Sequence, residues 1–255
     1  MIVDPFPNYI AGTWTAGSDA APNINPSDLN DTIGHYAQAS AKQTAEAIEC
    51  AAAAFVKWRG TSPLVRFEAL DRIGSEILAR VDEMGDMLAR EEGKTLSEAK
   101  AEAHRAGHLF KYFAAETYRA TGDLYQSLRE GVSLKVLREP IGVVGVITPW
   151  NFPLAIPAWK IAPALAYGNT VVFKPAELVP GSAWMLSDII ARAGLPEGVF
   201  NLVMGSGTEV GAAIVHTPRS TESPLPDLRQ SDARSVPRYS LVGQKCSLKW
   251  GVRTR

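Results

Sequence analysis

"GVVGVITPWNFPLAIPAWKIAPALAYGNTVVFKPAE", residues 142–177, sets a β-branched run, a helix-length apolar run and a second β-branched run end to end. The first run, "GVVGVIT", lacks polar alternation, as a strand buried on both faces does. "PLAIPAWKIAPALAYG" reads as a helix apolar on most sides, with Pro153 near its start and Gly168 at its stop. Pro163 lies inside it and predicts a kink. "NTVVFKP" is the second strand, and the alternation continues through "GSAWMLSDIIARAG", "GVFNLVMG" and "TEVGAAIVHT". Strands alternating with helices dictate parallel pairing through right-handed crossovers. The fold class is therefore α/β, with a Rossmann-like, doubly wound parallel sheet over residues 141–218. Ligands of such sheets bind beyond the carboxyl ends of the strands.

Upstream, residues 1–121 read as an N-terminal helical part. "SAKQTAEAIECAAAAFVKWRG" is alanine-rich, with Ser40 as a cap and Gly60 at the stop. Between residues 63 and 93, Leu64, Phe67, Leu70, Ile73, Ile77 and Leu78 recur at helical spacing. Gly93 ends a helix, and Thr95 with Glu98 forms a capping box for the next. Residues 122–140 read instead as two extended arms around a turn at Glu130 and Gly131, a protruding β-hairpin suited to a sheet edge or to an arm reaching a neighbour.

The 255 residues are 46% hydrophobic and carry a net charge of −1, which argues against nucleic acid or an anionic membrane as a partner. Cys50 and Cys246 are too few for a disulfide framework, and no secretory signal or run of about 18 apolar residues is evident. A cytoplasmic location is expected. His104 and His108 stand one helical turn apart with no third ligand in the pattern, so no metal is expected. Cys50, in an alanine-rich helix, reads as a small buried residue rather than a nucleophile.

Asn151, Lys174 and Glu177 fall just past the predicted strand tips. An asparagine N–H there could stabilise a developing oxyanion, and the lysine–glutamate pair could hydrogen-bond a ribose. Spacing alone equally allows Asn151 to cap a helix and the two charges to be solvated.

The wording "TPWNFPLAIPAWKIAPALAYGNTVVFKPAELVP", together with "YIAGTW", "NPSD", "EEGKTLSEA", "REPIGVVGVITPWNFP" and "GVFNLVMGSG", strongly resembles the aldehyde dehydrogenase superfamily. The resemblance covers most of the first 218 residues and implies an NAD(P)+-dependent oxidation of an aldehyde to an acid. It implies that Asn151 donates its amide to the substrate-derived oxyanion and that Lys174 and Glu177 hold the adenosine ribose. Thr148, Pro149 and Trp150 would line the nicotinamide side. Gly205, Gly207 and Gly211 would let a helix start approach the adenine and pyrophosphate. Glu177 would repel a 2′-phosphate, favouring NAD, with NADP the alternative. "REEGKTLSEA", "YGNTVVFKPAELVPGS" and "RAGLPEGVFNLVMGSG" are most similar to α-ketoglutaric semialdehyde (2,5-dioxopentanoate) dehydrogenases; succinate-semialdehyde and aromatic aldehyde dehydrogenases are alternatives. A homo-oligomer is implied for the intact enzyme.

After Pro218 the pattern breaks. Residues 219–255 hold eight Lys or Arg and three Asp or Glu, a charge of +5 against −6 for the rest. Allowed codons for "STESPLPD" and "CSLKWGVRTR", regrouped with one common displacement, encode DGISFTGS and QLEMGGKNP, both family motifs in family order. A frameshift near Pro218 is inferred. The general-base glutamate would then straddle the codons of Leu248 and Lys249, and the nucleophilic cysteine would lie beyond the text. Cys246 is an out-of-frame coincidence. The chain as written is expected to be an inactive, incomplete portion of an enzyme, and the alternative is a non-catalytic nucleotide-binding or interaction fragment. The tail is expected to be poorly ordered and to leave a sheet edge open.

Overall fold

The computed structural model describes residues 4–119 and 122–217 and the backbone of residues 239–242. Four strands come first: β1 (Asn8–Ile10), β2 (Thr13–Thr15), β3 (Asp19–Ile24) and β4 (Thr32–Gln38). They precede the helical stretch, which begins at Ala41. β1 and β2 are three residues each, too short to show alternation. Their identity is fixed from outside, because Asn8 Oδ1 accepts the Met204 N–H at 2.7 Å and Tyr9 pairs with Leu202.

Four helices follow: α1 (Ala41–Trp58), α2 (Pro63–Ala79), α3 (Val81–Glu92) and α4 (Leu96–Glu116). The sequence signals at their ends hold. Ser40 and Gln43 form a capping box on α1, as Thr95 and Glu98 do on α4. Gly93 closes α3 at φ +82°, a conformation open to glycine without strain. The boundary between α2 and α3 lies at Arg80, where no glycine or proline marks it. Its backbone turns to φ −110°, ψ 21°, while its guanidinium grips Glu83 through two 2.8 Å bonds. Leu64, grouped with the apolar stripe in the sequence, is 51% exposed in the first turn of α2.

The hairpin is present as β5 (Asp123–Gln126) and β6 (Ser133–Val136), with Gly131 in the turn at φ +72°. The α/β part runs β7 (Val143–Ile147), α5 (Ala155–Ala166), β8 (Thr170–Lys174), α6 (Pro180–Ala191), β9 (Phe200–Leu202) and α7 (Ala212–His216). Pro163 is accommodated within α5. β7, β8 and β9 are parallel neighbours, and β1 and β2 extend the sheet antiparallel beyond β9.

Side-chain alternation decides which layer each strand residue meets. Val144, Val146, Val171, Phe173, Phe200 and Leu202 join the large core with α5 and α6. Val143, Val172 and Val203 join Ala47, Ile48 and Ala51 of α1 and Ile214 of α7 in a second core on the opposite face. Both faces are covered, which is why these strands read as unbroken apolar runs. Asn169 sets the register: its Oδ1 accepts the N–H groups of Ile141 and Gly142, and its Nδ2 donates to Ala164 O.

A tenth strand, β10 (Tyr239–Val242), lies parallel to β7 with Tyr239 opposite Val143 and Val242 opposite Val146. The expected open edge at β7 is thereby corrected. The unpaired amides and carbonyls of a parallel edge accept any extended segment in reach, and "YSLV" has strand-forming residues. Apart from this strand, the tail after Pro218 lies outside the described residues, as does Cys246.

Candidate active site at the strand tips

The carboxyl tips of β7 and β8 are clamped side by side. Ile147 pairs with Lys174, and the Thr148 N–H donates to Lys174 O at 3.2 Å. The loop after β7 then carries Thr148, Pro149, Trp150 and Asn151. Thr148 is buried, whereas Trp150 is 54% exposed on this edge.

Lys174 is only 4% exposed, yet its ammonium has one hydrogen-bond acceptor among the described residues, Pro175 O at 3.0 Å. Glu177 Oε1 stands 4.0 Å away. Burial pulls the Lys174 ammonium below the usual lysine range, and the charge of Glu177 only partly restores it. A buried cation with spare donors is costly unless acceptors arrive. Glu177 Oε1 itself accepts the Gly207 N–H at 2.7 Å, tying the tip of β8 to the segment after β9.

That segment is a wide helical turn, residues 207–211, capped by Ser206 Oγ on the Glu209 N–H and running into α7. A Cβ on Gly207 would meet Glu177 Oε1 at 3.8 Å, and one on Gly211 would meet Lys174 Cδ at 3.8 Å. Neither glycine is demanded by protein packing. Their bare Cα atoms lie beside the lysine–glutamate pair, and a side chain at either position would stand against it. Gly205 is different: φ is +151° and a Cβ would lie 2.6 Å from Val210 Cγ2. Gly205→Ala is expected to destabilise the fold by about 1–3 kcal/mol, read as a lower urea midpoint, whereas Gly207→Ala leaves it near wild type.

Asn151 stands on the same edge, at the side of the loop facing α4. Its Oδ1 is buried without a hydrogen-bond partner, and no hydrogen bond from its amide nitrogen occurs among the described residues. The helix-cap alternative is absent from the geometry: the N-cap residue of α5 is Leu154, and no side chain caps it from that position. Instead Glu102 Oε1 accepts the N–H groups of Leu154 and Ala155 at 2.9 and 3.0 Å. Glu102 and its partner Lys94 were not singled out from sequence. They lie about fifty residues upstream, and only the α4–α5 contact reveals them.

The other candidates sit elsewhere. His104 and His108 meet edge to face on α4 with ring centroids 4.5 Å apart. Cys50 Sγ lies against Gly198, which precedes β9, so it is at the amino edge of the sheet rather than at the strand tips. Burial and Glu197 both push its thiol up, the opposite of what a nucleophile requires.

A profile of the aldehyde dehydrogenase family matches residues 14–221. The chain is 38% identical over 216 residues to the α-ketoglutarate semialdehyde dehydrogenase of Haloferax volcanii, covering 84% of the chain and 45% of that protein. It is 39% identical over 207 residues to the 2,5-dioxopentanoate dehydrogenase of Saccharolobus solfataricus, covering 81% and 43%. Among solved structures, a betaine aldehyde dehydrogenase from Staphylococcus aureus in complex with NAD+ superposes with a TM-score of 0.77 at 31% identity, over 81% of this chain and 42% of that one. The chain thus spans less than half the length of the curated relatives it matches. Matched by the family profile over most of its length, the chain belongs to the aldehyde dehydrogenase family.

Proposed function

We propose that residues 141–217 form the dinucleotide half of an NAD(P)+-dependent aldehyde dehydrogenase acting on a semialdehyde of the 2,5-dioxopentanoate type. The observation that carries this reading is the underpaired, buried Lys174 ammonium beside Glu177 and two open glycines. Vicinal ribose hydroxyls supply what that pair lacks: oxygens to accept from Lys174 and O–H groups to donate to Glu177. Glu177 would repel a 2′-phosphate, which favours NAD. Thr148, Pro149 and Trp150 face the nicotinamide end, and the Asn151 N–H donates to the aldehyde oxygen as it gains negative charge. NAD(P)+, when bound, supplies the electron-pair acceptor. The exposed Leu124, Tyr125, Leu128 and Leu134 of the hairpin suit a second copy of the enzyme. No helix among the described residues is long and apolar enough to cross a membrane.

The family match ends at Thr221, next to the proposed break in reading frame. Calorimetry on the full chain is expected to show NAD+ binding that Lys174→Ala weakens by about tenfold or more, the loss of one charge-assisted hydrogen bond of about 1.5–3 kcal/mol. No aldehyde is expected to be turned over. Unaltered affinity in Lys174→Ala would remove the ribose assignment. DNA sequencing across the Pro218 codon tests the frame directly, since an unshifted frame there would make the tail a genuine segment.

A further inference from the structure

The loop that carries Asn151 is held by two side chains that make no bond to Lys174 or Glu177. Glu102, on α4 and 5% exposed, uses Oε1 to take the N–H groups of Leu154 and Ala155. Its Oε2 takes Lys94 Nζ at 2.6 Å. Lys94, in the turn between α3 and α4, also reaches Asn151 O at 3.4 Å, pairs with Glu92 at 2.8 Å and lies 4.6 Å above the Phe152 ring. One carboxylate and one ammonium therefore grip both ends of residues 151–155. The Asn151 side chain, by contrast, has its oxygen buried without a partner. Its aim is set by its backbone, and its backbone is set by this pair.

We propose that Lys94 and Glu102 are positioning residues for the Asn151 amide. The inference rests on the reading of Asn151 given above. A helix cap alone would end at Glu102, whose Oε1 already satisfies the first turn of α5. The Lys94 arm goes further, to the carbonyl of Asn151 itself and to the ring that follows it. An oxyanion donor must be fixed to a fraction of an ångström, so a buried ionic clamp on its own peptide has a clear use.

Two variants separate cap from clamp. Glu102→Gln keeps an acceptor for α5 but turns an NH2 group toward the Lys94 ammonium. Lys94→Met keeps the apolar stem and deletes the charge. The full chain, labelled with 15N-asparagine, gives side-chain amide signals by NMR, with that of Asn151 identified by its loss in Asn151→Asp. In both variants the Asn151 amide pair is expected to shift or broaden, while the pairs of Asn8 and Asn201, buried near β1 and in β9, stay in place. Lys94→Arg is expected to restore the wild-type position. An Asn151 signal unmoved in both variants overturns the proposal, and so does common movement of all three asparagines, which marks a purely structural role. Addition of NAD+ to the wild-type chain is the separate arm. Absence of any response there sinks the nucleotide reading, while the positioning claim still stands or falls on the variant spectra.

Discussion

In a full-length protein with the downstream frame restored, Asn151→Ala is expected to lower kcat about 10²–10³-fold, the cost of one lost oxyanion donor at about 2.7–4 kcal/mol. The size follows from the amide's circumstances. Among the described residues no acceptor holds its nitrogen. Its backbone is gripped from one side by Lys94 and the following turn by Glu102, so little reorganisation is needed when charge develops. Affinity for NAD+ should change far less, because Lys174, Glu177 and the Gly207 N–H meet at the tip of β8 and the turn after β9. Asn151→Asp should be at least as damaging near neutral pH, since an ionised carboxylate repels the oxyanion. Steady-state kinetics on the purified variants decide this. A kcat within about twofold of wild type in Asn151→Ala would remove the residue from the chemistry. An equal loss in kcat and NAD+ affinity would instead show that the loop as a whole had collapsed.

How far the sequence carries this picture depends on the range of the interactions. Local signals were legible: the capping boxes at Ser40 and Thr95, the left-handed Gly93 and the turn at Gly131 all follow from a few neighbouring residues. The strand–helix alternation from Val143 onward was legible because both sheet faces are covered and the strands are uniformly apolar. Lys174 and Glu177 fell at a strand tip by spacing, and in the structure they lie 4.0 Å apart beside Gly207 and Gly211. What stayed hidden is non-local. β1 and β2 exist because Asn8 and Tyr9 find Met204 and Leu202 nearly two hundred residues on. The break at Arg80 has no breaker residue. β10 is made by an available edge at β7 rather than by its own pattern. Lys94, within "EEGKTLSEA", and Glu102, three residues beyond it, carry no local signal, and only the approach of α4 to α5 brings them against the Asn151 loop.

Glu91 is a further case, and it governs stability. This carboxyl, 3% exposed at the end of α3, takes the N–H groups of Gly181 and Ser182 at 2.8 Å each and Asn23 Nδ2 at 2.9 Å. It therefore closes the start of α6, where no side-chain cap is present, and joins α3, α6 and β3. Gly181 permits the approach, since a Cβ there would come within 2.9 Å of Glu91 Oε2 and 2.8 Å of the Tyr36 hydroxyl. Glu91→Ala would strand three buried donors and leave a cavity, and is expected to cost about 3–5 kcal/mol in urea unfolding. The pH dependence has a definite sign. Burial pushes the Glu91 carboxyl up from 4.5 to about 7, outweighing the N–H groups that favour its ionised form. The folded chain then holds a proton that the unfolded chain releases, so this contribution is complete below about pH 4.5 and is lost as pH rises through about 7. Glu91→Gln removes the titration while keeping one acceptor, and its stability should be flatter across that window. Every other ionisable group is common to the two proteins, so the difference between the two curves isolates Glu91. A wild-type advantage that instead grows from pH 5 to 7 would mean that the hydrogen bonds from Gly181, Ser182 and Asn23 outweigh burial and hold the carboxylate ionised.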